Sequence, residues 1–199
     1  MGGGTGTAML SLGAGSLTVT DGVTVQSNGI LGGAGTIDAD VTSFGTLAPG
    51  NSPGLMTITG DLTLGAGSDT EMELAGLLRG TQYDAVDLGG ALSIAGSLSV
   101  ALIDGFTLGM GQSFEIFDVA GVLSGSFDGL SEGATVGAFG GVDLFITYAG
   151  GDGNDVLLYT AQNSAVPEPG TLALLTLGIT GLAGLRRAMR RRARVADAP

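Results

Sequence analysis

Apolar and polar residues alternate over short stretches of the chain before residue 170. The clearest stretches are 17–25, 56–64 and 92–102, in which Leu, Ile, Val and Met recur two residues apart. A period of two indicates β-strands with one buried face. No stretch before residue 170 sustains the period of about 3.6 that is typical of an amphipathic helix. The sequence therefore predicts an all-β body.

Glycine separates these stretches, and 39 of the 199 residues are Gly without the every-third spacing of collagen. Gly-Ala-Gly recurs at 13–15, 33–35 and 65–67, so any repeat is irregular. Short strands joined by glycine turns are typical of a β-solenoid, in which each coil covers the apolar face of the next. We therefore predict a parallel β-helix, and an antiparallel sandwich is the alternative.

Aromatic residues divide the body into two parts, because only Phe44 of the ten Phe and Tyr residues precedes Tyr83. We predict thin solenoid rungs over 1–80 and an aromatic-rich β cap over 81–160 that covers the open strand edge. The remaining predicted segments are a linker with a Pro-Glu-Pro motif (161–169), a transmembrane helix (170–185) and an Arg-rich cytoplasmic tail (186–199).

Charge is distributed just as unevenly along the chain. Before about residue 165 there is one basic residue, Arg79, against 17 Asp and Glu, whereas six Arg follow. Phosphate backbones repel an acidic body, so we expect no nucleic-acid partner. The chain has no Cys, His, Trp or Lys, which excludes Ser-His-Asp and Cys-His catalysis and the common zinc sites.

One segment, 150–158, fits the calcium-binding nonapeptide G-G-x-G-x-D-x-U-x, with Asp152 and Asp155 as candidate metal ligands. Calcium in such repeats is shared between stacked turns, so one copy supplies only part of the oxygen shell. Because there is no second copy, we favour a glycine-rich hairpin turn and predict no metal or other cofactor.

Two pairs of carboxylates, Asp38 with Asp40 and Glu71 with Glu73, are spaced to lie on the same side of a strand. Paired carboxylates can hydrolyse glycosides. However, the nearby aromatic and basic residues are isolated rather than clustered to hold a sugar. We interpret both pairs as a solvated acidic face and predict no catalytic residue, with a polysaccharide-active enzyme as the alternative.

Turn-rich motifs occur throughout the body. They are Gly45-Thr46-Leu47-Ala48-Pro49-Gly50-Asn51-Ser52-Pro53-Gly54, Ile58-Thr59-Gly60-Asp61-Leu62, Tyr83-Asp84, Leu102-Ile103-Asp104-Gly105-Phe106 and Gly150-Gly151-Asp152-Gly153-Asn154-Asp155-Val156. Through these motifs, roughly residues 15–160 resemble the passenger regions of autotransporter-like β-helical surface proteins.

The tail begins with Val166-Pro167-Glu168-Pro169 and continues through a glycine-dotted apolar run to Arg186 and Arg187. It resembles a PEP-CTERM sorting segment. The resemblance implies a Gram-negative precursor that is exported, held transiently in the inner membrane and processed near Pro167, Glu168 and Pro169 by an exosortase. Such proteins are often associated with biofilm and extracellular polysaccharide, which is therefore a candidate partner.

The apolar run at 170–185 would measure about 24 Å as a helix, against a hydrocarbon core of about 30 Å. Snorkelling arginines and local thinning can cover the difference. A buried amphipathic helix is disfavoured because the run has no charged face. A stop-transfer role that keeps the C-terminus cytoplasmic is expected of Arg186, Arg187, Arg190, Arg191, Arg192 and Arg194.

The first residues, Met1-Gly2-Gly3-Gly4-Thr5-Gly6, contain neither the basic nor the apolar region of a signal peptide. We therefore expect an export signal and further rungs upstream, and a cytoplasmic protein with a fortuitous tail is the alternative. The sequence predicts an exported, non-enzymatic surface or extracellular-matrix protein. An autotransporter-like adhesin fragment is the second hypothesis.

Overall fold

The computed structural model describes residues 6–162, and all regular secondary structure in this range consists of β-strands. The strands are β1 (Ala8–Leu12), β2 (Ser16–Thr18), β3 (Val23–Val25), β4 (Gly29–Gly33), β5 (Thr36–Asp38), β6 (Val41–Ser43), β7 (Thr46–Pro49), β8 (Leu55–Ile58), β9 (Leu62–Leu64), β10 (Asp69–Leu74), β11 (Ala85–Leu88), β12 (Leu92–Ile94), β13 (Ser97–Leu102), β14 (Ser113–Val119), β15 (Leu123–Gly125), β16 (Thr135–Phe139), β17 (Val142–Gly150) and β18 (Asp155–Thr160). The prediction of an all-β body is confirmed.

The predicted membrane helix at 170–185 lies outside the described residues. Within residues 6–162, no helix has the length and apolar character needed to cross a bilayer.

The strands form three sheets, and the chain visits them in turn. Sheet A has the order β1-β4-β7-β10-β13, sheet B the order β16-β17-β18-β14-β11-β8-β5-β2, and sheet C the order β15-β12-β9-β6-β3. Each passage through sheets A, B and C, here called a circuit, adds one strand to each sheet. Five circuits run from β1 to β15, and all strand pairing between them is parallel apart from an isolated antiparallel bridge between Gly33 and Gly50. This parallel pairing is incompatible with the alternative of an antiparallel sandwich.

Residues at equivalent positions of successive circuits stack in register, most regularly in sheet C. There Val23 pairs with Val41, Val41 with Leu62, Leu62 with Leu92, and Leu92 with Leu123. Val41, Leu62 and Leu92 are 0–1% exposed. Because side chains alternate across a strand, this ladder fills the interior while its neighbours in sequence face solvent. The period-two pattern of the sequence is thus the inside-outside alternation of the circuits.

Aromatic side chains enlarge the core in the last two circuits. Phe114 is fully buried and makes edge-to-face contacts with Tyr83 and Phe106, at ring-centroid distances of 5.4 and 6.1 Å. The parallel pairing continues past residue 80 to β15. The aromatic residues after Tyr83 therefore pack first within the parallel circuits and only later within an antiparallel segment.

An antiparallel segment follows the fifth circuit. Strands β16, β17 and β18 pair in antiparallel fashion with one another, and β18 pairs with β14 at the edge of sheet B. They therefore cover the hydrogen-bonding edge that β14 would otherwise expose. On these strands Leu144, Ile146 and Leu158 are fully buried, and the residues between them face outward.

We expect Leu62→Ala to lower the unfolding free energy by about 2–5 kcal/mol, because it leaves a cavity in the middle of the aliphatic ladder. Thr63→Ala is the matched control, since Thr63 is the adjacent, outward-facing residue of β9. Its effect should stay within about 0.5 kcal/mol. Denaturant midpoints of the full chain measure both values, and equal effects would contradict the assigned register.

Candidate functional site

Two acidic residues, Asp40 and Asp61, lie at the corners between sheets B and C and connect one circuit to the next. An Oδ1 atom of Asp40 accepts a hydrogen bond from the backbone N–H of Asp61 at 2.9 Å. Asp61 repeats the arrangement in the next circuit, where its Oδ1 accepts from the N–H of Ala91 at 2.7 Å. A Cβ atom on Gly60 or Gly90 would overlap these carboxylates. Gly60 and Gly90 therefore leave the space that the carboxylates of Asp40 and Asp61 occupy.

Asp38 and Asp40 do not share a strand, so this part of the prediction is wrong. Strand β5 ends at Asp38, and Asp40 lies in the corner before β6. Both residues are exposed and border the same depression. The Oδ1 atom of Asp38 accepts a hydrogen bond from the Thr59 hydroxyl at 2.7 Å. Each carboxylate therefore contacts the following circuit.

Glu71 and Glu73 do lie on the same outward side of β10, as predicted. They border a groove of about 270 Å³ on the outer face of sheet A, together with Ser52 and Asp84. The Ser52 hydroxyl donates to an Oε2 atom of Glu73 at 2.6 Å. The groove thus has three carboxylates along one side.

Asp84 is the buried member of this group, with only 2% of its surface exposed. Its Oδ1 atom accepts from the N–H of Gly54 at 2.8 Å, and its Oδ2 atom accepts from the N–H of Glu73 at 2.8 Å. Gly50 has a φ of 93°, and a side chain there would overlap the Asp84 carboxylate. Asp84 therefore joins the 50–54 turn to β10, and both of its oxygens are engaged by backbone groups.

Burial raises the pKa of Asp84 from 3.8 to about 6, because desolvation disfavours the charged carboxylate. The two backbone hydrogen bonds lower this pKa in part, and the negative charge of Glu73 raises it further. A carboxyl group with this pKa could act as an acid near neutral pH. Its two backbone partners indicate a structural role instead.

Arg79 is not isolated in the structure, although it is isolated in the sequence. Its guanidinium pairs with Asp87 at 2.6 Å and with the Glu115 carboxylate at 3.2 Å. It also donates to the backbone carbonyl groups of Val86 and Glu115 at 3.3 and 3.1 Å. Through these bonds the loop between β10 and β11 is held against the outer face of sheet B.

The nonapeptide segment forms the turn between β17 and β18, where Gly150 pairs with Asp155. Asp155 is 5% exposed, and its Oδ1 atom accepts from the N–H of Val119 at 2.8 Å. The side-chain amide of Asn154 donates to the carbonyl groups of Val119 and Gly121 at 2.8 and 2.6 Å. The predicted hairpin turn is confirmed, and it fastens the antiparallel segment to the corner after β14.

Asp152 is exposed, and its backbone N–H donates to the Oδ2 atom of Asp155 at 3.3 Å. In the part of the chain that the structure describes, no group of three or more acidic side chains is arranged to hold a metal ion. That the segment binds no metal stays a prediction, and calcium binding by Asp152 and Asp155 stays its alternative.

The remaining candidate residues belong to the tail and lie outside the described residues. They are Pro167, Glu168, Pro169, Arg186, Arg187, Arg190, Arg191, Arg192 and Arg194.

A family model describes this tail. Residues 165–192 match the PEP-CTERM protein-sorting motif, a range that contains the Pro-Glu-Pro residues, the apolar run and the first five arginines. The sorting segment that the sequence resembles is therefore present. The motif implies an exosortase-type processing partner and indicates sorting to the cell surface.

The chain is also similar to part of an autotransporter adhesin. Over 74 residues it is 42% identical to the adhesin BmaC autotransporter of Brucella suis biovar 1 (strain 1330). This match covers 36% of the present chain and 2% of the adhesin, so the chain spans only a small fraction of that protein. The similarity supports the autotransporter-like resemblance of the chain.

Asp61, Asp84 and Asn154 are the residues whose roles the sequence alone did not reveal. A signal for Asp61 exists, because Ala39-Asp40-Val41 and Gly60-Asp61-Leu62 have the same small-Asp-aliphatic pattern before a sheet C strand. Asp84 and Asn154 have no comparable repeat. Gly54 lies 30 residues from Asp84 in sequence, and Val119 lies 35 residues from Asn154. The second partner of Asp84, Glu73, lies 11 residues away, across the loop between β10 and β11.

The pKa of Asp84 predicts a pH-dependent stability. Because the folded pKa of about 6 exceeds the ordinary value of 3.8, folding favours the protonated form. The contribution of Asp84 to the free energy of unfolding is complete below about pH 4 and is lost as the pH rises through about 6. This loss is at most about 3 kcal/mol. We expect Asp84→Asn to remove this loss, as measured by denaturant unfolding of the full chain at about pH 4 and 7. The exposed Asp104→Asn is the control, and parallel pH profiles for wild type and Asp84→Asn would refute the assignment.

Asn154→Ala should lower the unfolding free energy by about 2 kcal/mol, because two hydrogen bonds to half-buried carbonyl groups are lost. Asp152→Ala is the matched control in the same turn, since only the backbone of Asp152 bonds to Asp155. Thermal unfolding of the two variants provides the comparison. If both variants unfold at the same temperature, the turn does not fasten the antiparallel segment.

Proposed function

We propose that this chain is an exported, non-enzymatic protein of the cell surface or extracellular matrix, delivered there by its PEP-CTERM segment. The observation that carries the proposal is the sorting-motif match at residues 165–192. The acidic body agrees with it, because a highly charged surface keeps a protein soluble outside the cell.

The tail acts in three steps in this proposal. The apolar run at 170–185 holds the precursor in the inner membrane, and the arginines from Arg186 onward keep the C-terminus in the cytoplasm. An exosortase then cleaves near Pro167-Glu168-Pro169. The two prolines disfavour helix before the span and keep Glu168 in an extended segment that a protease can reach.

The body released by this cleavage is a β-solenoid. Its support is the strand order, in which five successive circuits each add one parallel strand to sheets A, B and C. In such an architecture each circuit contacts only its neighbours, which gives an elongated surface without requiring a deep active-site cavity. An elongated surface suits a structural or adhesive role.

The non-enzymatic assignment rests on what the acidic groups do. Asp38, Asp40 and Asp61 each accept a hydrogen bond from the next circuit, and Asp84 accepts two from the backbone. These bonds give the carboxylates structural partners. A glycosidase would instead need a pair of carboxyl groups free to face its substrate.

An autotransporter-like adhesin passenger is the second candidate. The specific observation in its favour is the similarity to the Brucella adhesin over 74 residues. Both candidates place the body outside the cell, and they differ in whether the sorting tail is processed.

Processing can be tested by producing the chain behind an export signal in a Gram-negative host that has an exosortase and in a strain from which the exosortase is deleted. We expect mass spectrometry to find a mature C-terminus near Pro167-Glu168-Pro169 only in the first strain. The deletion strain should retain the full-length chain in its inner membrane, because nothing removes the apolar anchor.

Glu168→Ala tests the motif itself, with Glu71→Ala as a control that removes a carboxylate from the exposed face of β10. We expect the first variant to remain uncut in the exosortase host and the second to be processed like wild type. Recovery of uncut wild-type chain from the cytosol of that host would disprove the proposed function.

A further inference from the structure

The outer face of the antiparallel segment carries apolar side chains where polar ones are usual. In β17 and β18 the inward positions are filled by Leu144, Ile146 and Leu158, so Phe145 and Tyr159 face outward. Their rings stack at a centroid distance of 5.5 Å and an interplanar angle of 30°. Both residues are only half-buried. The stacked rings therefore leave part of an apolar surface accessible to a ligand.

A pocket of about 350 Å³ opens beside Tyr159. Its lining includes Gln112, Ser113, Thr147, Leu157, Tyr159 and Thr160, and no charged side chain of the described residues borders it. The carboxylate opposite Leu157 belongs to Glu115, and it pairs with Arg79 at 3.2 Å. The pocket therefore suits an uncharged ligand.

The polar side chains of the pocket are partly fixed and partly available. The Thr160 hydroxyl accepts from the N–H of Gln112 at 2.9 Å and donates to the carbonyl of Gly109 at 2.7 Å. The Oε1 atom of Gln112 accepts from the N–H of Gly109 at 2.8 Å. These bonds hold one wall of the pocket in place. Within residues 6–162 the hydroxyl groups of Ser113 and Tyr159 have no hydrogen-bond partner, so they can serve a ligand.

We propose that this surface, consisting of Phe145 and the pocket beside Tyr159, binds a neutral saccharide chain. A sugar ring presents an apolar C–H face and a rim of hydroxyl groups, which match a stacked aromatic pair bordered by hydroxyl and amide groups. The pocket is large enough for a small ligand, whereas a stable protein partner would need about 1,000 Å² of complementary surface. The inference rests on the surface role proposed above and names the class of partner.

The test is titration calorimetry of the full chain with three neutral hexasaccharides, namely cellohexaose, maltohexaose and chitohexaose, and with hexagalacturonate as an acidic probe. A detergent without a sugar headgroup is required, because a maltoside would compete for the pocket. We expect at least one neutral probe to bind with a Kd of about 1 mM or lower. The acidic probe should bind at least about tenfold more weakly, because the body repels anions.

Tyr159→Ser should weaken binding of the neutral probe at least about tenfold, through loss of the ring face. Tyr159→Phe keeps the ring face and should weaken binding less than Tyr159→Ser does. Phe44→Ser is the matched control, because Phe44 is an aromatic residue that is 42% exposed at the corner between the second and third circuits, outside this surface. The Phe44→Ser variant should bind the neutral probe with the affinity of wild type.

The proposal is overturned if none of the neutral probes binds, if the acidic probe binds equally well, or if Tyr159→Ser and Phe44→Ser behave alike. Self-association of the chain through this face, detected by analytical ultracentrifugation and lost in Tyr159→Ser, would also overturn it in favour of a protein partner. Failure here leaves the sorting assay unaffected, since C-terminal processing is measured without any saccharide.

Discussion

Parallel pairing between successive circuits is the constraint on which the rest of the structure depends. Once Val41, Leu62 and Leu92 occupy the same position of consecutive circuits, every second residue of each strand must fit the interior. The first circuits satisfy this requirement with aliphatic side chains and the later ones with Phe114 and its aromatic neighbours. The outward positions remain free to carry the acidic residues that give the body its charge.

The acidic residues have two effects that follow from their positions. At the corners, Asp40 and Asp61 satisfy backbone N–H groups that the tight bend leaves without a strand partner. Asp84 does the same for the 50–54 turn, at the cost of a buried carboxyl group with a raised pKa. The high content of Asp and Glu therefore supports both solubility and the connection of one circuit to the next.

Two parts of the chain have different tasks in the function proposed here. The C-terminal segment directs sorting and processing through a motif that is recognised in the local sequence. The antiparallel strands provide an aromatic surface beside an uncharged pocket, because β17 and β18 place Phe145 and Tyr159 side by side. A surface protein that holds a saccharide chain would need both features, one for delivery and one for contact.

The sequence by itself determined the all-β class, the alternation of buried and exposed positions, and the sorting segment. Each of these depends on residues that are adjacent in sequence. It also located the hairpin turn at 151–154 through its glycines. Only the tertiary structure brought Gly54 to Asp84, Asn154 to Val119 and Phe145 to Tyr159. These residues come from different strands or loops, and the irregular circuit lengths give the sequence no fixed period from which their pairing could be read.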